Sequence, residues 1–174
     1  MKRFIGIAAL TIIIVLAGEN AIAQNFKFGH VNSDQVIQAM PEFDSATVKL
    51  QKFQKELVNA LDLMRVELNT KNEAYVKESK NLSDLVKQTK EQELTDMINR
   101  IQEFQTNAQT QLQDKQAELF QPIVAKVNKA ISDVGKENGY IYVFNTGQGS
   151  PLIYFDETKS TNLMPLVKAK LGLK

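Results

Sequence analysis

Residues 43–138 contain one glycine and one proline, Gly135 and Pro122, and this scarcity of helix breakers constrains the fold more than any other feature. A typical globular helix is about 10–14 residues long, so an ordinary compact domain is a poor match for this segment. Short segments rich in aromatic and β-branched residues flank it on both sides. We therefore predict an α+β, mostly α fold, in which a long antiparallel helical hairpin, a coiled-coil arm, projects from a small β-containing body.

Residues 1–23 are typical of an export signal. Two basic residues precede an apolar stretch over residues 4–17, and Ala21-Ile22-Ala23 has the small-x-small pattern that a signal peptidase cleaves. The apolar stretch is shorter than the ~20 residues of a membrane-spanning helix, which favours a cleaved signal over an anchor. We predict cleavage after Ala23 and a mature chain that begins at Gln24, with no integral membrane segment.

The mature chain has no net charge, because removing two basic residues and one acidic residue with the signal reduces the 21 basic and 20 acidic residues of the chain to 19 of each. Nucleic-acid phosphates require clustered Lys and Arg, so we predict no nucleic-acid partner. The chain has no cysteine, and disulfides therefore cannot support the small body. Oligomerisation is the usual remedy for a small core.

The body is predicted to come from both ends of the mature chain, residues 24–42 and 139–174. In the first part, residues 26–31 form a strand and residues 34–40 a short helix, which Asn32 or Ser33 caps and which ends before Pro41. In the second part, residues 140–144 and 152–155 form a β-hairpin around a Gly-rich turn. A final helix, which Thr161 caps, ends at Gly172.

The arm, residues 43–138, carries apolar residues at the 3-4 spacing of an antiparallel coiled coil. Its tip is expected within residues 81–90, where Asn81 and Ser83 can stop one helix and cap the next. Pro122 predicts a kink in the returning helix. The apolar residues beyond it, from Ile123 to Val134, are expected to pack on the body.

Sequence motifs for catalysis or cofactor binding are missing. A single histidine, His30, lies in a strand pattern, and a chain without cysteine cannot supply the usual ligands of zinc. Gly147-Gln148-Gly149 lacks the Gly-Lys-Ser/Thr of a phosphate loop and is interpreted as a turn. Acidic pairs such as Glu91 and Glu93 lie on a solvated helical surface, without a cleft to shift their pKa values. We predict a protein that is not an enzyme and has neither metal nor cofactor.

The order of these segments resembles the Skp (OmpH-like) family of periplasmic chaperones. The resemblance covers nearly all of the mature chain, and five short motifs carry it: Gly29-His30-Val31-Asn32, Gln38-Ala39-Met40-Pro41-Glu42, Arg100-Ile101-Gln102-Glu103-Phe104, the Tyr140–Asn145 strand and Leu171-Gly172. It implies a periplasmic homotrimer whose arms enclose unfolded outer-membrane proteins and keep them from aggregating without ATP. The arm departs from the family's best-known members, which are strongly basic, since residues 43–138 hold 14 basic and 15 acidic residues.

Two sets of apolar residues become candidates under this resemblance. Those off the arm seam either widen the hairpin core or contact clients: Phe53, Leu63, Val66, Val76, Met97 and Phe104. Those in the body are candidates for trimerisation: Phe26, Phe28, Ile141, Val143 and Ile153. The competing hypothesis is a structural coiled-coil spacer or adaptor of the cell envelope, which would bind one folded partner.

Overall fold

The structure, a computed structural model, describes residues 26–173, so the predicted signal segment and its cleavage site after Ala23 lie outside the described residues. In chain order the elements are β1 (Lys27–Val31), α1 (Ser33–Gln38), α2 (Pro41–Glu78), a 3-10 turn (Ser79–Asn81), α3 (Asp84–Glu137), β2 (Tyr140–Asn145), β3 (Ser160–Asn162) and α4 (Met164–Lys170). The predicted α+β, mostly α class is confirmed.

Helices α2 and α3 form the hairpin, with 38 and 54 residues respectively. At a rise of 1.5 Å per residue they are roughly 55 Å and 80 Å long. Pro41 occupies the first turn of α2, where its missing N–H costs little. The tip comprises the 3-10 turn and Ser83, so the chain turns at the start of the predicted 81–90 window and just before it. None of the described helices has the length and apolar character that crossing a membrane requires.

The body core is built where the second half of α3 meets the short elements. Pro122 does not end α3, which continues to Glu137. The prediction that the residues beyond Pro122 pack on the body is confirmed, since Ile123, Val127 and Val134 are buried there. The buried cluster consists of Val31, Val36, Met40, Ala46, Ile123, Val127, Ala130, Val134, Leu163 and Val167.

The sheet differs from the predicted hairpin. Its order is β2-β1-β3, and both outer strands run parallel to β1. Residues 152–155, predicted as the second strand of a hairpin, form no strand, and Ser160–Asn162 pairs with β1 instead. The physical reason is the strand order: the chain must cross from β2 to the far side of β1, and a tight turn cannot make a parallel connection.

Glycine marks two close or unusual backbone positions in the body. Gly139 follows α3 and has a φ of 71°, which turns the chain into β2. Glycine commonly has this role just after the C-terminal end of a helix. Gly29 lies where β1 passes α4: a Cβ there would be 2.6 Å from Leu163 Cδ1. Strand β1 therefore approaches the core more closely than a side chain would permit.

A leucine pair tests where the core lies. Leu163 is 0% exposed and Leu63 on the arm is 71% exposed. Leu163→Ala should lower the free energy of unfolding by about 2–5 kcal/mol, because it removes buried contacts and leaves a cavity. Leu63→Ala should change it by less than about 0.5 kcal/mol. Urea denaturation at one fixed protein concentration measures both, and equal losses would contradict this assignment of the core.

Candidate interaction surfaces

The sheet carries a cluster of aromatic side chains on the face turned away from the helices. Phe28 of β1 stacks with Tyr142 and Phe144 of β2, with ring centroids 6.1–6.4 Å apart within the trio. Strand pairing explains the cluster, because Phe28 is opposite Tyr142 and His30 is opposite Phe144. We call this surface, formed by Phe28, His30, Tyr142 and Phe144, the aromatic face.

The aromatic face is only partly covered within the described chain, since Tyr142 is exposed and Phe28, His30 and Phe144 are half-buried. Tyr142 is 60% exposed, and an open apolar cleft of about 260 Å³ lies between Phe28, Phe144 and Phe155. Purely parallel sheets occur almost exclusively with both faces covered. Within residues 26–173, the aromatic face therefore lacks the full covering layer that parallel sheets usually have.

His30 belongs to this face and has local partners. Its Nδ1 lies 2.9 Å from the Ser160 hydroxyl, and its ring packs against Phe155 with centroids 4.7 Å apart. His30 is thus a half-buried residue of the sheet with partners inside the chain. Among the described residues, no group of three or more His, Cys, Asp or Glu side chains could hold a metal ion.

The five trimerisation candidates divide between two environments. Phe26 and Ile141 are about half exposed, Ile153 is 100% exposed, and Phe28 lies on the aromatic face. Val143 instead packs on the chain's own core, where Val143 Cγ2 would be 3.2 Å from a Cβ at Gly135. Its side chain is therefore on the opposite side of the sheet from Phe28.

Sequence reasoning missed Tyr142 and Phe144 because it assigned the interface to Ile141 and Val143, which alternate with them along the strand. The strand pairing also has an irregularity that the sequence does not show. The register shifts between Lys27 and Phe28, which are opposite Tyr140 and Tyr142 respectively, so Ile141 is an extra residue in β2. The extra residue puts Tyr140 against the core and Tyr142 on the aromatic face, whereas regular alternation would put both on one face. The only available signal was the alternation of aromatic residues in Tyr140-Ile141-Tyr142-Val143-Phe144, and that pattern does not reveal a bulge.

The arm is held in register by contacts near both of its ends. At the body, the Phe43 and Phe120 rings meet edge to face at 5.4 Å, and Lys126 Nζ donates to Glu42 Oε1 at 2.6 Å. The Lys126 ammonium lowers the pKa of the Glu42 carboxyl through this hydrogen bond.

Near the tip, the Tyr75 hydroxyl donates to the Glu91 carboxylate, which raises the pKa of Tyr75. Lys90 also pairs with Glu78, 3.8 Å away across the turn. These contacts join the two arm helices, but they are exposed, so they contribute little to stability.

The six client-contact candidates also occupy different environments. Leu63, Val66 and Val76 are 61–71% exposed on α2. Phe53 and Phe104 are partly buried. Met97 is 4% exposed and so belongs to the hairpin core, which removes it from the surface that a partner could contact.

The exposed candidates do not form one stripe. Successive residues of a helix are rotated by about 100°, which puts Val66 opposite the hairpin seam and Leu63 and Val76 on different flanks. Val58, which is 49% exposed, lies five helical turns before Val76 and is therefore on the same flank of α2. An apolar partner of α2 would therefore contact several small, separate apolar sites on this helix.

Two open apolar clefts lie along the hairpin, and glutamines border both. The mid-arm cleft, of about 240 Å³, is lined by Gln54, Leu57, Val58, Leu61, Phe104, Gln105, Ala108, Gln109 and Leu112. The second, of about 490 Å³, lies on α3 nearer the body and includes Phe120, Val124 and three glutamines. Residues 102–121 of α3 include seven glutamines, and this stretch supplies most of the glutamines that border the two clefts.

A family model described as outer membrane protein (OmpH-like) matches residues 27–171, which is almost the whole described chain. The match includes the sheet, both arm helices and α4. No relative among curated proteins matches the chain closely enough to add to this comparison.

Met97 provides a test of how the arm is held together. Truncation by Met97→Ala should lower the local opening free energy of the distal arm by about 2–5 kcal/mol, as for other buried methionines, and should speed amide exchange there. The body should keep its protection. Val76→Ala, at a position 62% exposed on α2, is the control and should leave exchange unchanged. Uniformly faster exchange in the body would contradict a local role.

Proposed function

Because the chain belongs to the OmpH-like family, we propose that it is an ATP-independent holdase chaperone of the periplasm that binds unfolded outer-membrane proteins between helical arms. The observation that supports this most strongly is a hairpin with exposed apolar contacts and Gln-bordered clefts, set on a body whose sheet has an open aromatic face. The first feature suits weak contact with a non-native chain, and the second suits assembly of several arms.

The arm contacts are of the kind that bind many sequences. The mid-arm cleft offers Leu57, Leu61 and Phe104 as apolar contacts, while Gln54, Gln105 and Gln109 keep its rim hydrated. Each such contact is weak. Several arms acting on one client raise the overall affinity through effective concentration, so a client is held tightly as a whole yet can leave one contact at a time.

Charge has a minor part in this proposal. The arm's 14 basic and 15 acidic residues nearly cancel, and many of them pair along the helices, as Lys71 does with Glu67 at 3.4 Å. Such exposed pairs contribute little energy. Clients are therefore held by apolar contact and enclosure, which prevents their unpaired strand edges from meeting other chains.

Enclosure requires several arms on one body, and we propose a homotrimer joined through the aromatic face. Its members Phe28 and Tyr142, together with the exposed Phe26, Ile141 and Ile153, supply the apolar area. Covering the second face would also give the parallel sheet the environment that such sheets normally have. Val143 is left out of this interface because it packs on its own core.

The holdase function is tested by diluting an unfolded outer-membrane protein from urea and following light scattering. The mature protein should keep the client soluble. Val58→Asp, which places a charge in the mid-arm cleft, should weaken this protection. Burying a fully exposed valine contributes about 1.5–3 kcal/mol, and Val58, which is 49% exposed, can gain about half of that from a client. The expected loss is therefore roughly 3- to 12-fold in affinity per contact.

The matched control is Val48→Asp, the same substitution on the same helix at a position that is 64% exposed and outside the cleft. It should protect as well as the wild type. Unchanged scattering with excess wild-type protein would overturn the holdase proposal and favour an envelope spacer, which should bind one folded partner. Equal losses in the two variants would reject the cleft as a client contact.

The assembly is tested with a second aspartate pair. Tyr142→Asp puts a charge on the aromatic face at a residue 60% exposed in the single chain, so it should yield folded monomers. Leu85→Asp near the arm tip, at a residue 74% exposed, should leave the trimer intact. Native mass spectrometry gives the masses and circular dichroism confirms folding. A Tyr142→Asp protein that remains trimeric would exclude the aromatic face as the interface.

A further inference from the structure

The single histidine of the chain, His30, lies on the central strand of the sheet and belongs to the aromatic face. Histidine is the side chain whose charge ordinarily changes between about pH 5 and 8. A perturbed cysteine can also titrate there, but this chain has no cysteine. His30 is therefore the side chain that gives the aromatic face a means of responding to pH.

Three elements contribute the neighbours of the His30 imidazole. On β3, the Ser160 hydroxyl lies 2.9 Å from Nδ1. On β2, Phe144 is the direct partner of His30 in the ladder. In the connection between these strands, the Phe155 ring packs against the imidazole, with centroids 4.7 Å apart. None of these three neighbours carries a negative charge that would stabilise a protonated ring.

The second ring nitrogen of His30, Nε2, depends on water. Within residues 26–173 it has no hydrogen-bond partner in the protein, and no side-chain nitrogen or oxygen there is both buried and unpaired. It follows that Nε2 is open to solvent in the single chain. Water can therefore solvate the imidazole in either charge state as long as the aromatic face is uncovered.

Two charged side chains, Asp156 and Lys159, line the open cleft of the aromatic face. The Asp156 carboxylate accepts hydrogen bonds from the Thr158 hydroxyl at 2.6 Å and N–H at 2.9 Å, which lower its pKa and keep it ionised in mild acid. Lys159 Nζ lies 3.9 Å from the same carboxylate. The two opposite charges offset each other, so together they give little support to a charge on His30. The helices pack against the other side of the sheet.

We infer that His30 makes the assembly sensitive to pH, because protonation of its imidazole opposes the joining of copies through the aromatic face. The inference rests on the proposed assembly and adds its regulation. A second copy over this face removes water from Nε2, and the residues proposed for the interface include no carboxylate to replace it. Burying an unpaired charge costs far more than burying the neutral ring, so the assembled form favours neutral His30.

The direction of the pH effect follows from which state holds the proton. Above about pH 7.5 the histidine is neutral in separated and assembled chains alike, and assembly has its full strength. As the pH falls through about 6.5, the ordinary midpoint of histidine, separated chains gain a proton that assembly must remove. At pH ~5.5 this weakens assembly by up to about tenfold for each covered imidazole.

Analytical ultracentrifugation of the mature protein, as dilution series at pH ~7.5 and pH ~5.5, tests the inference. The wild type should be trimeric at the higher pH, and at the lower pH it should dissociate at a protein concentration roughly tenfold higher or more. The matched control is His30→Asn, which keeps a polar group near the position of Nδ1 but cannot take up a proton. It should assemble equally at both pH values. His30→Phe, which keeps an aromatic ring without nitrogens, is a second control with the same expectation.

Two outcomes overturn the inference and leave the proposed trimer standing: dissociation of the wild type that does not change with pH, or equal weakening of the wild type and the controls. If neither control assembles at neutral pH, His30 is a structural requirement of the interface and the inference also fails. A wild type that is monomeric at neutral pH rejects both the inference and the assembly. The light-scattering assay on the same samples separates the holdase: a trimer that weakens in acid but never holds clients supports the role of His30 and rejects the holdase.

Discussion

The parallel pairing of β1 with β2 is the interaction on which the rest of the structure depends. The two strands lie at opposite ends of the described chain, and Phe28 and Tyr142 are direct partners in the ladder. Parallel strands need a crossover connection, and in this protein the entire helical arm is that connection. Closing it brings both ends of the arm to one small body. The cost of closure grows only slowly with length, so an arm of this size is compatible with a small sheet.

Helix α3 connects the sheet to the arm, because one part of it packs in the body core and the rest forms half of the arm. Its last third, including Ile123, Val127 and Val134, is in the body core, while Met97 and Ile101 are buried between the arm helices. Pro122 lies between these regions, and a proline inside a helix costs about 3 kcal/mol. Pro122 itself is exposed to solvent. Burial of Ile123 and Val127 immediately after it offsets that cost and keeps the helix continuous.

The sequence predicted the long elements well and the sheet poorly, for a physical reason. The two arm helices are predicted by the local periodicity of apolar residues and by the scarcity of helix breakers between Phe43 and Asn138. Both signals are present along the whole segment. The sheet depends on pairings between distant residues, and neither the parallel direction of β3 nor the bulge at Ile141 leaves a local trace. Residues 152–155 show the difference: their side chains favour a strand, yet they form none in the described structure.

The candidate surfaces were likewise predicted only as far as local sequence patterns allow. Hydropathy alone could identify apolar residues off the seam, but only the register of the two helices separates the buried Met97 from the exposed Leu63 and Val66. Along most of the arm the seam residues are half buried, so the arm is held by many modest contacts rather than by a dry core. Under the proposed function, such an arm loses little apolar packing when a client contacts its flank, because the contacting side chains are already in water. The largest fully buried side chains lie instead in the body, where they pack around the end of α3.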